Sequence, residues 1–224
     1  MDKNQVLKAI KELREKSPKK KFLQTVDLII NLKNLDLKKQ EHKVDIYMKL
    51  PNSKGKKPRI CAFVDAQLAP KAKDVFDTVI QKSEFDKWKN NKKNQKLLSN
   101  THDFFVAQAD MMAQVAAIFG KVLGARGKMP NPKAGCVIPA TANPEPVVAN
   151  LQNTIRLQTK NDLSIKAVIG NESSKDDELA DNILSIYNTL IPKLHQEKDN
   201  LRSIMIKLTM GPRFRIEEEV KKEK

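Results

Sequence analysis

Apolar and polar residues alternate at both ends of this chain but not in its middle, and that change of period limits the possible folds more than any other feature. In "KFLQTVDLIINL", Phe22, Gln24, Val26, Leu28, Ile30 and Leu32 fall on one face of a strand. Lys21, Leu23, Thr25, Asp27, Ile29 and Asn31 fall on the other. "KVDIYMKL" sets Val44, Ile46, Met48 and Leu50 against Asp45, Tyr47 and Lys49. Towards the other end "TIRLQTK", "LSIKAVIG" and "RSIMIKL" repeat the pattern, the last with Ile204, Ile206 and Leu208 on one face. Two helices accompany these strands. Val6, Leu7, Ile10 and Leu13 recur at helical spacing and predict a helix over 3–16, stopped by Ser17-Pro18. A second helix is predicted from Lys175 to Leu190, with Ser174 as its cap and Asp176, Asp177 and Glu178 complementing its dipole.

The middle reads differently. "RICAFVD" is a more continuous apolar run, residues 70–82 look helical, and "DFFVAQA" over 103–109 reads as a buried strand. A helix over 110–121 follows, with Met111, Val115, Ile118 and Phe119 inward. Short buried strands alternating with helices imply a small three-layer α/β, Rossmann-like unit. The fold class is therefore α+β with an inserted α/β domain. Residues 1–65 and 154–224 form a discontinuous domain, an antiparallel α+β sandwich built from both chain ends, and 66–153 form the insert. The two connections, near residues 65 and 154, would make a double-stranded hinge.

Charge narrows the partner. The chain of 224 residues carries 42 Lys+Arg against 27 Asp+Glu, a formal +15. Residues 1–60 hold 17 of those cations against 7 acids, so a polyanion-facing surface draws heavily on the N-terminal quarter. Such an imbalance favours a polyanionic partner through attraction and counterion release. No apolar run approaches the ~20 residues that span a bilayer, and the charged, helical N-terminus is not a signal peptide. Cys61 and Cys136 stand alone, as in a reducing cytosol.

Several chemistries are excluded. A phosphate-binding loop of the Walker type needs Gly, four residues, then Gly-Lys-Ser/Thr. Here Gly127-Lys128 is followed by Met129, and Val122 stands where the first glycine belongs. His42, His102 and His195 lie far apart and no CxxC or HxxxH spacing exists, so neither metal nor cofactor is expected. No nucleophile–base arrangement is visible, and an enzyme acting on nucleic acid would need one, or an acidic metal cluster. Trp88, in "FDKWKNNKKNQK", could stack on a base, but packing against its own domain is the favoured reading.

Two stretches remain. "LGARGKMPNPKAG" combines glycines, prolines and basic residues, and "KLTMGPRFR" ends the last strand with Thr209, Met210, Gly211 and Pro212. A threonine can bond a phosphate or ribose hydroxyl, and a glycine admits a close backbone. Together with "KFLQTVDLIINLKNLDLKK" and "IMIKLTMGP", the order and spacing of these runs resemble the universal large-subunit ribosomal protein L-one family, in its archaeal form. The resemblance covers essentially the whole chain.

It implies a first domain that binds large-subunit ribosomal RNA at the mobile side stalk, and an inserted domain facing the exit-site transfer RNA. It also implies a possible second target in the protein's own messenger RNA, whose translation family members repress; a primarily messenger-RNA-binding regulator is the alternative. The protein would be cytoplasmic and ribosomal, and a monomer off the ribosome. The family's RNA-contacting positions fall on Lys21, Phe22 and Thr25 of the first strand, Ser203 of the last, and Thr209, Met210 and Gly211 at its end. Lys20, Arg156, Lys207, Arg126, Lys128 and Lys133 are candidates for secondary contacts, although the glycine- and proline-rich run is expected to serve mainly as architecture beside the hinge. Two departures stand out: Ala125 replaces a common proline, and Leu208 replaces a common polar residue, which implies one hydrogen bond fewer at the edge of the patch.

Overall fold

A computed structural model of the chain describes residues 1–141 and 143–216, and of Gln40 the backbone alone. In chain order the elements begin α1 (Lys3–Lys16), β1 (Thr25–Leu32), β2 (Asp45–Lys49), β3 (Ile60–Val64), α2 (Ala69–Lys73) and β4 (Thr78–Gln81). There follow α3 (Phe85–Lys89), α4 (Lys92–Thr101), β5 (Phe104–Gln108), α5 (Met112–Ala125), β6 (Val137–Ile138) and α6 (Glu145–Asn153). The chain continues with β7 (Thr154–Gln158), β8 (Ser164–Asn171), α7 (Asp176–Leu190), β9 (Leu201–Leu208) and β10 (Arg213–Ile216). These divide into two compact units, Met1–Lys56 with the chain from Asn153 onward, and Lys57–Gln152.

The first unit contains an antiparallel sheet in the order β10-β9-β1-β8 and a separate β2-β7 pair. Alternation decides which side of the larger sheet is dry. Val26, Leu28, Ile30 and Leu32 of β1 and Ile204, Ile206 and Leu208 of β9 are all buried. They share one core with Val6, Ile10 and Leu13 of α1 and Leu179, Ile183, Ile186 and Leu190 of α7. Residues spaced by two on the strands thus meet residues spaced by three and four on the helices. Arg14 fastens α1 to the start of α7, its Nε 2.6 Å from Asp176 Oδ1 and its Nη1 2.7 Å from Glu172 O. Ser174 is not the cap of α7: Lys175 holds that position, while the Ser174 hydroxyl turns back to Asn171 Oδ1 at 2.9 Å. The three acids of the first turn do lie at the positive end of the helix.

The second unit has a sheet in the order β4-β3-β5-β6, parallel throughout. Every residue of β3 is buried, as a strand covered on both faces requires. Ile60, Ala62 and Val64 pack with Leu68, Ala72, Phe76 and Leu151, on the side of α2 and α6. Cys61 and Phe63 pack with Phe85, Leu98, Val115 and Phe119, on the side of α3, α4 and α5.

Two expectations are corrected here. The helix expected over 70–82 is the short α2 followed by strand β4. Ala72, Phe76 and Ile80 are buried at intervals of four, which mimics a helical face across a turn and a strand. The boundary expected after residue 65 falls before β3, because β3 pairs with β4 and β5 and with nothing in the first unit.

Candidate nucleic-acid interface

The helices cover one face of the β10-β9-β1-β8 sheet, and among the described residues of the first unit no helix or strand packs on the other. Its side chains follow from register. Asp27 stands beside Lys207 and Val168, and Lys207 beside Arg213. Ile29 stands beside Met205 and Lys166, and Met205 beside Arg215. Asn31 stands beside Ser203, to whose hydroxyl it donates at 2.9 Å, and beside Ser164. Apolar side chains in the middle are therefore flanked by four cations, with Asp27 the one carboxylate in those rows. Burial pushes the Asp27 carboxyl above its usual range, while Lys207 and the Thr25 hydroxyl pull it the other way. A shallow groove on this face is lined by Asp27, Ile29, Lys166, Val168 and Lys207.

At one end of the β1–β9 pairing, Thr25 and Thr209 lock the strands together. Their hydroxyls lie 2.7 Å apart, Thr25 N donates to Thr209 Oγ1 at 3.2 Å, and Thr209 N donates to Thr25 O at 3.1 Å. Met210 N donates to the side-chain oxygen of the buried Gln24 at 3.2 Å, which leaves the Met210 side chain 62% exposed. Gly211 N closes the turn onto Leu208 O at 3.0 Å. A Cβ on Gly211 would stand 3.2 Å from Leu208 Cβ and 3.3 Å from Ser17 Oγ, so the turn has little room for a side chain.

The structure brings together Thr25, Thr209, Met210 and Gly211. Lys20, Lys21 and Phe22 lie outside β1, in the exposed segment leading into it, because the strand begins only at Thr25. Ser203 lies at the far end of β9, about 20 Å from Thr209 at the usual rise per residue, with Lys207 between them. Leu208 is not at the edge of any patch: it is paired with Val26 and buried in the core, so no hydrogen bond is lost there. Asp27, Ile29, Met205, Lys166, Val168, Arg213 and Arg215 share the face and were missed as site residues. Alternation had already put Asp27 and Ile29 on the outer side of β1, but only pairing shows which residues join them. Arg156 lies in a second groove, with Gln158, Lys160, Asp162, Ser164 and Lys166. Its guanidinium grips Asp45 at 2.7 and 2.8 Å and lies 5.1 Å from the centre of the Tyr47 ring, so it is a fixed and partly neutralised cation.

The basic residues of "LGARGKMPNPKAG" divide. Ala125 ends α5, so the residue that replaces a common proline stands within a helix. Gly127 and Gly135 take left-handed φ of 66° and 72°, the sharp turns that the run needs. Arg126 donates to Lys96 O at 3.1 Å and to the Asn100 side chain. Lys128 Nζ donates to Ser99 O at 2.8 Å and His102 O at 2.7 Å. Both cations are thus engaged by carbonyl oxygens of α4 and of His102, its C-cap. Lys133 remains exposed.

The histidines and the tryptophan are accounted for. His102 is buried; its Nδ1 lies 3.0 Å from Leu98 O and 2.9 Å from the Thr101 hydroxyl, and its Nε2 lies 2.9 Å from the Thr78 hydroxyl. His42 and His195, distant in sequence, meet edge to face with ring centres 5.2 Å apart, and His42 Nδ1 accepts from Asp36 N at 3.0 Å. Trp88 packs against Phe119, ring centres 5.9 Å apart.

The family described as "Ribosomal protein L1p/L10e family" matches residues 11–212. Among curated proteins, the large ribosomal subunit protein uL1 of Methanothermococcus thermolithotrophicus is 42% identical over 217 residues, which cover 97% of this chain and all of that protein. The protein of the same name from Methanothermobacter thermautotrophicus is 39% identical, over 95% of this chain and 98% of its own. That of Methanocaldococcus jannaschii is 34% identical over the full length of both.

Proposed function

The chain belongs to the ribosomal protein L1p/L10e family, in its archaeal form, and we propose that the uncovered face of its four-stranded sheet holds ribosomal RNA. It is a cytoplasmic ribosomal protein of the large subunit. In the proposed reading the RNA is the mobile side stalk, seated from the Thr25–Thr209 junction along β1 and β9. The inserted unit faces the exit-site transfer RNA. A matching fold in the protein's own messenger RNA competes for the same face and represses translation.

The observation that supports this most is the contrast between the two sides of the sheet. One is sealed by α1 and α7, while the other offers apolar side chains, hydroxyls and a cationic rim that no described element of the first unit covers. RNA helices are recognised through backbone shape and 2′-hydroxyls more than through base edges. The hydroxyl pair and Met210 supply a preformed contact, while Lys20, Lys21, Lys166 and Lys207 supply attraction to phosphates.

Filter binding over a range of salt, with a stalk RNA fragment and a scrambled control, tests it. Met210→Ala removes a mostly exposed side chain, so melting temperature should hold while stalk affinity falls about tenfold with the salt slope unchanged. Thr209→Val should weaken stalk binding too, but it also takes away the acceptor of Thr25 N, so about 1–3 kcal/mol of stability should go with it. Lys56→Ala and Lys57→Ala, in the exposed basic loop between β2 and β3, should each flatten the salt slope by about one unit and affect both RNAs alike. A Met210→Ala protein that bound both RNAs as wild type does, or lost both equally, would move the recognition site off this strand end.

A further inference from the structure

Charge on the inserted unit is gathered in one place that the sheet face does not use. Lys87 and Lys89 of α3 and Lys92, Lys93 and Lys96 of α4 fall within ten residues of sequence, and all five are exposed. The ion pairs among the described residues involve Lys3, Arg14, Lys16 and Arg156, and none of these five.

Their placement works against the fold. The first turn of α4 carries Lys92 and Lys93 and no acid, at the end of a helix where the dipole already presents positive charge. Lys92 and Lys96 are like charges four apart on that helix, a second small penalty. Local stability does not account for cations there.

The platform beneath them is rigid. Gln95, 3% exposed, donates to Trp88 O at 2.7 Å and so ties α4 to α3. Asn91 accepts from Asn94 N at 3.1 Å and caps α4, while Arg126 and Lys128 close its other end. The lysines are thus carried on fixed helices, each with a flexible stem.

We propose that this α3–α4 surface is a second RNA-binding surface, one that takes phosphate backbone without reading sequence. It relies on the ribosomal setting above but not on the sheet face. An acidic protein segment would also answer the charge. A protein interface, however, draws its energy from buried aromatic and aliphatic anchors. Here Trp88 is committed to Phe119, and Leu97, 62% exposed, is the one large apolar side chain that these two helices offer. Point charges on flexible stems suit phosphates, which position a protein without specifying sequence.

The test uses the full chain and a short scrambled RNA duplex, with polyglutamate as the protein-like control. Amine labelling read lysine by lysine should show Lys89, Lys92, Lys93 and Lys96 protected by the duplex and not by polyglutamate. Replacing those four by Gln should flatten the salt slope by about three units, because roughly three to four phosphates would no longer meet a cation. The melting temperature should hold or rise, since like charges are removed from a helix start. Transfer RNA and a large-subunit ribosomal RNA transcript, run as separate arms, identify which source the surface prefers. In Met210→Ala, protection at α3–α4 should persist while stalk recognition falls, so the two surfaces fail independently. An unchanged slope in the four-lysine variant, protection confined to the first unit, or equal protection by polyglutamate would each overturn the proposal.

Discussion

Asp27 is the residue whose chemistry is least comfortable where it stands. Half buried among Ile29, Val168 and Lys207, its carboxyl holds a proton to higher pH than it would in the unfolded chain, because burial outweighs the attraction of Lys207 and the Thr25 bond. Folding therefore takes up a proton between the unfolded and folded pKa values, and the wild type loses stability as pH rises through that window. Asp27→Asn should be more stable than wild type at neutral pH. The gap should close as pH falls into the ordinary carboxylate range, which urea midpoints across pH would trace. An Asp27→Asn protein less stable than wild type at neutral pH would mean that Lys207 more than offsets the desolvation. The residue scale was also the least legible in sequence. Thr25 and Thr209 touch across 184 positions, and no local pattern announces that. The strand-end run pointed to Thr209 and the family resemblance to both, while Arg213, Arg215 and Met205 came into view only when the strands were paired.

At the scale of elements, alternation is legible because it records one-sided burial. β2, β7, β8 and β9 lie where period two put them, β1 begins only at Thr25 although the alternation starts at Lys21, and α1 and α7 lie where apolar residues recur at three and four. β4 was lost because its apolar residues continue a helical spacing begun in α2. A cation's role is also hidden from sequence, since a phosphate and a row of helix carbonyls attract the same side chains. Lys128 shows the outcome: burial lowers its pKa, and its ammonium spans Ser99 O and His102 O at the end of α4. Lys128→Met should cost about 2 kcal/mol, the range for hydrogen bonds made by a charged group, as read from urea unfolding. Its salt slope on RNA should match wild type. A slope flattened by one unit would show that Lys128 meets a phosphate after all.

For the whole molecule, the insertion has a definite seam. β2 runs antiparallel to β7 with Lys49 opposite Thr154, and Leu50 N donates to Asn153 O at 2.9 Å. The chain thus leaves the first unit and returns to it at neighbouring points. Deleting residues 57–152 and closing the gap with a short Gly/Ser linker should leave a protein folded by circular dichroism and able to bind the stalk fragment. Deleting 66–153 instead strands β3, five residues all buried in the native protein, with neither of its partners. That version should be poorly soluble, as an unpaired apolar strand invites association.

The pairing of β1 with β9 has a consequence in time as well as space. Val26 meets Leu208 and Asn31 meets Ser203, so during synthesis β1 waits for β9, far along the chain, before it has a partner on that side. The α/β unit between them closes on contacts within its own span and can complete first, as domains generally do during synthesis. From the synthesis of β1 until that of β9 a nascent chain therefore has no Thr25–Thr209 junction and no β9 beside β1. The face proposed to hold RNA is therefore assembled only once β9 has followed β1, 184 positions later at the Thr25–Thr209 junction, which reserves it for chains synthesised through β9.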